Sequence, residues 1–330
     1  MLALVAGTAW SQDESGPALD RIAFGSCNRD DKPQPLWKPI REAKPDLWIW
    51  LGDIVYGRAD DLPGLAAKYQ HEKDQPDYQL LRQQCRVIGM WDDNDYGVSD
   101  GGKENANKVE CQRLLLDFLG EPADSPRRKQ AGVYTAYTFG PPGKRVKIIL
   151  LDGRYHRDAP GQHSDMLGAE QWRWLEQQLS GSDADVNLIA SGIQVIANEH
   201  PFEKWADFPQ SRQRLFDLVA KTAPRNVIFL SGDRHFGAIS RMSDPPFRQP
   251  IYDITSSGMT HHAKDMFFHS FSRETNRFRR GQNFVDLNFG LLQFDWAADP
   301  PTVSLQIRDS NNAIRNEEKM TLAGKASVTR

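Results

Sequence analysis

A chain of 330 residues, 39% hydrophobic and 26% charged with no low-complexity tract, is long enough to bury a sizeable core and has the make-up of a soluble globular protein. Its net charge of −3, with acids and bases interspersed, excludes the basic stripe of a nucleic-acid binder; Arg277-Phe278-Arg279-Arg280 is only a local cluster, and no stable nucleic-acid complex is expected. No apolar run approaches the roughly 18 residues of a membrane span.

At the start, Leu2–Ala6 is apolar and Gly7, Thr8 and Ala9 are small, as in the back half of a secretory signal peptide, although the positively charged leading segment is missing. Residues 1–12 are therefore expected to be a leader remnant of an exported protein, periplasmic or extracellular, with one domain over residues 20–330. Arg21–Cys27 reads as a first strand running into a loop, and Pro35–Lys44 as a short helix. Asp46–Leu51, bounded by Pro45 and Gly52, fits a strand buried on both faces of a mixed sheet. Leu62–Arg86 carries helical spacing with a break near Pro76, Val87–Met90 is a short strand, and Lys108–Leu119 is an amphipathic helix. Val133–Phe139 and Val146–Leu151 are expected to pair around Gly140-Pro141-Pro142-Gly143. Helix Gly168–Leu179, strand Val186–Ala190, helix Arg212–Ala220 and strand Val227–Leu230 follow, and strands at Ile251–Ser256, Val285–Trp296 and Val303–Arg308 close the chain. Strands alternating with helices, then antiparallel strands, predict a layered α/β protein with two sheets face to face.

An odd count of three cysteines in an exported protein leaves one for another task; Cys85 and Cys111 flank one central segment and are candidates to pair, leaving Cys27.

The strand ends carry the chemistry. Cys27, Asp53 with Tyr56, Asp92-Asp93, Arg154 with Arg157, Gln194, and Asp233 with His235 each follow an apolar strand. A lone strand-end acid caps turns, and a lone histidine is a hydrogen-bonding residue. Repeated delivery of such groups to one sheet edge predicts a polynuclear metal centre.

Five segments, GSCN at 25–28, LGDIVY at 51–56, WDDNDYGVSDGG at 91–102, LLDGRYHRD at 150–158 and LSGDRHF at 230–236, resemble the PhoD-type alkaline phosphatases of the calcineurin-like metallophosphoesterase superfamily. The resemblance spans residues 21–260 and is to the compact catalytic domain, without the N-terminal β-domain of larger members. It implies a four-layer α/β/β/α sandwich with metals at the carboxyl ends of the strands. It further implies Asp53 as a carboxylate bridging two metals, with the Cys27 thiolate, Tyr56 phenolate and His235 on the first and Asp93 and Asp233 on the second. Asp92 and Gln194 are further candidates, the latter equally a loop amide. Thiolate, phenolate and imidazole suit Fe3+, and the oxygen-rich half suits Ca2+, with Zn2+, Mn2+ or Mg2+ as alternatives.

The implied activity is hydrolysis of phosphodiesters and monoesters by a metal-activated hydroxide attacking phosphorus in line. Arg154 and Arg157 are candidate clamps on the phosphate oxygens, or alternatively a surface salt-bridge pair. The family resemblance breaks at Asn94, where relatives carry the histidine that protonates the leaving oxygen; an amide does not titrate. Either His156, His200 or His261 takes over, or the substrate's leaving group needs no proton, or the chain is a catalytically weakened phosphate-binding homologue. Trp205, Phe208 and the stretch 259–271 are candidates for an apolar wall or lid, alternatively core packing. Such a wall would favour diesters with a hydrophobic arm, such as phospholipid or teichoic-acid-like polymers.

Overall fold

The computed structural model describes residues 13–14, 16–266 and 274–324, so the expected leader at 1–12 and residues 267–271 of the expected lid lie outside the described residues. The first half of the chain runs β1 (Asp13–Glu14), β2 (Arg21–Gly25), α1 (Trp37–Glu42), β3 (Leu47–Leu51), α2 (Leu62–Asp74), α3 (Pro76–Gln84), β4 (Arg86–Met90), α4 (Asp93–Tyr96) and α5 (Lys108–Leu119). The second continues with β5 (Thr135–Phe139), β6 (Val146–Leu150), α6 (Gly168–Leu179), β7 (Val186–Ser191), α7 (Pro209–Thr222), β8 (Val227–Ser231), β9 (Gly237–Met242), β10 (Ile251–Ser256), β11 (Arg279–Phe284), β12 (Asn288–Asp295), β13 (Thr302–Asp309) and β14 (Ile314–Thr321).

Two sheets form, ordered β14-β13-β12-β2-β3-β4 and β1-β5-β6-β7-β8-β10-β9-β11. Within them β2, β3 and β4 run parallel, as do β6, β7 and β8. Side-chain alternation sorts these strands into layers. Ile148 and Leu150, Leu188 and Ala190, and Ile228 and Leu230 join one core with β2, β3 and β12 of the other sheet. Their neighbours Ile149, Ile189 and Phe229 instead join Trp172 and Leu175 of α6 and Leu215 and Val219 of α7. On the opposite outer face, Trp48 and Trp50 of β3 meet Trp37 of α1 edge to face at 5.3 and 5.4 Å. Trp50 also donates its indole N–H to the Tyr78 hydroxyl of α3 at 3.0 Å. The result is the expected helix, sheet, sheet, helix sandwich.

Four strands, β1, β9, β11 and β14, were not foreseen. The sequence of β14, IRNEEKMT, has no apolar alternation because it is the outermost strand of its sheet, where charge guards an exposed edge. Helix α7 begins three residues before its expected start, at Pro209, whose fixed φ suits a first helical position. The candidate pair Cys85 and Cys111 is not bonded, and all three cysteines are free. Cys85, at the end of α3, lies against the Trp48 backbone, whereas Cys111 points into the core beside Asn105.

Trp50 is fully buried among three aromatic partners, Trp37, Trp48 and Tyr78, the last also its hydrogen-bond partner. Trp50→Ala is expected to lower unfolding free energy by about 3–5 kcal/mol, read as a shifted urea midpoint with an unchanged slope.

Candidate metal centre

The carboxyl ends of the two parallel sets meet at one edge of the sandwich, the position where open α/β sheets bind ligands. Cys27 follows β2, Asp53 follows β3, Asp92 and Asp93 follow β4, and Asp233 and His235 follow β8. Four of these adopt left-handed backbone: Cys27 at φ 59°, Asp53 at 51°, Asp233 at 68° and His235 at 58°. Such conformations cost non-glycine residues about 1–3 kcal/mol each and persist only where the surroundings enforce them. Glycines close the approach around Asp92: a Cβ on Gly52 would lie 2.4 Å from the Asp92 Cβ, and one on Gly192 would lie 2.2 Å from its Oδ1.

Asp53 is the meeting point. Its Oδ2 lies 3.4 Å from the Cys27 thiol and 3.3 Å from the Tyr56 hydroxyl. Its Oδ1 accepts from both the backbone N–H and the side-chain amide of Asn94, each at 3.2 Å. The same amide donates to Asp93 Oδ1 at 2.9 Å, and the Asp100 N–H holds Asp93 Oδ2 at 2.8 Å. Carboxylate oxygens of Asp53, Asp92, Asp93 and Asp233 all lie within 4.8 Å of one another. His235 joins from the Cys27 side. Its Nδ1 donates to the His261 carbonyl at 2.9 Å, which leaves Nε2 with its lone pair free for a ligand role. The His261 N–H in turn donates to the Cys27 carbonyl at 3.2 Å.

The donor set fits cations. Burial and mutual repulsion push the Asp53, Asp92 and Asp233 carboxyls above the usual carboxylate range. Burial, then the Asp233 charge, pushes the Cys27 thiol up to about 12. Asp92 Oδ2 is buried with no hydrogen-bond partner among the described residues. An unpaired buried carboxylate oxygen amid three more carboxylates is a position for positive charge. Hard oxygens, one thiol, one phenol and one imidazole are all donors suited to metal cations.

Arg154 and Arg157 are not a surface pair; each is 1% exposed. Arg154 Nε donates to Asp92 Oδ1 at 2.7 Å, and its terminal nitrogens reach Glu203. Arg157 bonds Glu203 and the Asp100 carbonyl. Gln194 is buried with its amide nitrogen on Thr255 at 2.7 Å, while its Oε1 has no partner among the described residues. Trp205 and Phe208 form no wall over the site. Both are fully buried, the first donating to Ser191 at 2.9 Å and the second lying under the Arg157 guanidinium.

Of the three histidines named as substitutes for the acid, His156 is tied to the Ala131 carbonyl and His200 is buried with no hydrogen-bond partner among the described residues. Only His261 packs on the site, 4.3 Å from His235 and 5.5 Å from Tyr56 between ring centres. Sequence reasoning also missed Asp95, which accepts from the Asp92 and Ile54 N–H groups, and Asp152, which takes the Trp91 indole and three backbone N–H groups. An Asp three residues into a short helix is a capping-box signal that marks Asp95 from sequence. Nothing comparable marks Glu203.

Two facing sheets flanked by helices, with an acidic cluster where the parallel strands end, form a layout shared with solved phosphatases. The chain belongs to the PhoD-like phosphatase family, whose model matches residues 22–266. Alkaline phosphatase D of Bacillus subtilis (strain 168) is 21% identical over 267 residues, covering 65% of this chain; the chain spans 45% of that relative's length. Among solved structures, PhoD aligns with TM-score 0.67 at 16% identity over 94% of this chain and 73% of that one. A dimetal phosphatase from Danio rerio aligns with TM-score 0.56 at 13% identity over 93% of this chain and all of that one. GAP50, the anchor in the inner membrane complex of Plasmodium, shares the fold with TM-score 0.60 at 11% identity over 93% of this chain and 90% of that one.

Behind Cys27, Asn28 donates its amide to the buried Glu72 at 2.8 Å. Burial raises the Glu72 carboxyl to about 7, against the opposing bonds from Gln34 and Asn28. The protonated acid is thus favoured by folding, and its contribution is lost as pH rises from the unfolded value of about 4.3 through about 7. Urea unfolding across this window is expected to show wild type losing stability relative to Glu72→Gln as pH rises, with the difference flat below pH ~4.

Proposed function

We propose that the chain hydrolyses phosphate esters with two metal ions, Fe3+ held by Cys27, Asp53, Tyr56 and His235, and Ca2+ held by Asp53, Asp93 and Asp233, with Asp92 beside them. The observation that carries this reading is the convergence of a buried thiol and a phenol on one Asp53 oxygen at 3.4 and 3.3 Å, with a carboxylate cluster on the other side. Bound there, the ions supply an ionised nucleophile near neutral pH and positive charge against the phosphoryl oxygens.

The chain's own residues do the rest. Asn94 fixes Asp53 and Asp93 relative to each other through one amide. Arg154 orients Asp92 and places a permanent cation beside the acidic cluster. Because Asn94 cannot donate a proton to the leaving oxygen, the favoured substrates are esters whose leaving group is a weak base, such as an aryl oxide or a phosphate. Phosphodiesters with such leaving groups lead and monoesters follow, whereas phospholipid or teichoic-acid-like polymers, which leave as alkoxides, are disfavoured. The leader-like Leu2–Ala9 supports an exported enzyme.

Elemental analysis and an absorption spectrum of purified protein test the metal reading. Iron stoichiometric with the chain and a broad visible band are expected, with the band shifted or lost in Cys27→Ser and activity lost on chelation. Colourless protein holding only zinc, manganese or calcium would refute the ferric half, and protein that takes up no metal would refute the hydrolase itself.

The Asn94 amide also favours a second reading, a phosphate-binding homologue with weakened turnover. Asn94→His separates the two. A gain of roughly 100-fold or more on alkyl esters, with little change on aryl esters, is expected from restored proton donation. Metal-loaded wild type that binds phosphate but turns over neither ester would establish the weakened reading.

A further inference from the structure

The two arginines that follow β6 share one acceptor. Glu203, on the loop between β7 and α7, takes Arg154 Nη2 on Oε2 at 2.5 Å and Arg154 Nη1 on Oε1 at 3.2 Å. The same Oε1 takes Arg157 Nη1. The Glu203 side chain is 7% exposed, against 1% and 2% for the two arginine side chains. Each guanidinium then reaches onward. Arg154 grips Asp92 Oδ1 at 2.7 Å. Arg157 bonds the Asp100 carbonyl, and the Asp100 N–H holds Asp93 Oδ2 at 2.8 Å. The path therefore starts at Asp92, passes through Arg154, Glu203, Arg157 and Asp100, and ends at Asp93, the adjacent residue.

We propose that Glu203 is a positioning residue for the metal centre, clasping Arg154 and Arg157 so that Asp92 and Asp93 present fixed oxygens to a cation. The inference rests on the metal-centre reading above. With Arg154 held on Oδ1, the partnerless Oδ2 is the oxygen that Asp92 offers. Glu203 also balances charge. Two buried guanidiniums three residues apart repel, and burial followed by the Arg154 charge drives the Arg157 guanidinium down to about 10. A carboxylate between them relieves that repulsion and keeps net positive charge away from a site that must hold cations. The clasp itself is anchored, since neighbouring Trp205 donates its N–H to the Gln194 carbonyl at 3.0 Å and its indole to Ser191 at 2.9 Å.

The test is titration of metal-stripped protein with Mn2+, followed by heat and by electron paramagnetic resonance. Glu203→Gln keeps the shape but removes the charge, and is expected to weaken Mn2+ binding roughly 10- to 100-fold, as partners of metal ligands do. Glu203→Asp keeps the charge on a shorter arm and is expected to recover part of that loss, a rescue that a merely structural ion pair would not give. A folded Glu203→Gln protein that binds Mn2+ as tightly as wild type, even with a lowered melting temperature, would overturn the inference alone. Should the Gln variant not fold, unchanged Mn2+ affinity in Arg157→Gln, which opens the same clasp from its other side, does the same. Wild type that takes up no Mn2+ would overturn the metal-centre reading together with it.

Discussion

Like charge confined in a dry space governs this molecule. Four aspartates present oxygens within 4.8 Å of one another, and Asp53 and Asp92 are almost wholly shielded from water. At that separation each ionised pair repels by about 3–4 kcal/mol at an effective dielectric constant of about 20. No set of backbone hydrogen bonds offsets that on its own. The fold answers with a buried permanent cation, Arg154, and with donors from Asn94 and Asp100. What remains is an unmet demand for positive charge, and the sandwich supplies the rigid walls that keep the acids from relaxing apart.

The walls depend on an economy of alternation. Because every second residue of β6, β7 and β8 faces the other sheet and the rest face α6 and α7, none of these strands can slip by one residue without exposing both layers. Their carboxyl ends are thereby fixed in three dimensions, and the turns that follow carry ligands to a common point. Asp53 and Asp233 come from different sheets and still share one cluster.

Much of this was legible in the chain. The run LWIWL between Pro45 and Gly52 announces a two-face buried strand, and the polar groups after each strand announce the site. The obscure parts share a physical cause: they depend on partners distant in sequence. A guanidinium at position 154 carries no mark that its acceptor lies 49 residues on, so clamp, surface pair and internal strut look alike until the loop of Glu203 is placed. Trp205 and Phe208 read more readily as core than as wall, although both environments favour large apolar rings. Cys85 and Cys111 flank the same segment, yet α3 and α5 turn them toward different surroundings. Strand β14 escaped because an edge strand is selected for charge rather than for pattern.

The left-handed backbone at Cys27, Asp53, Asp233 and His235 reaches into the evolutionary freedom of the site. Valine, isoleucine and threonine are barred from these positions by their branched Cβ, whatever their chemistry, whereas asparagine, aspartate, histidine and glycine enter readily. Drift in ligand identity is thus channelled by main-chain sterics toward residues that mostly still coordinate metals. A lineage leaving this chemistry would find glycine the easy exit and an aliphatic plug closed to it, so the imprint of the centre would outlast its use.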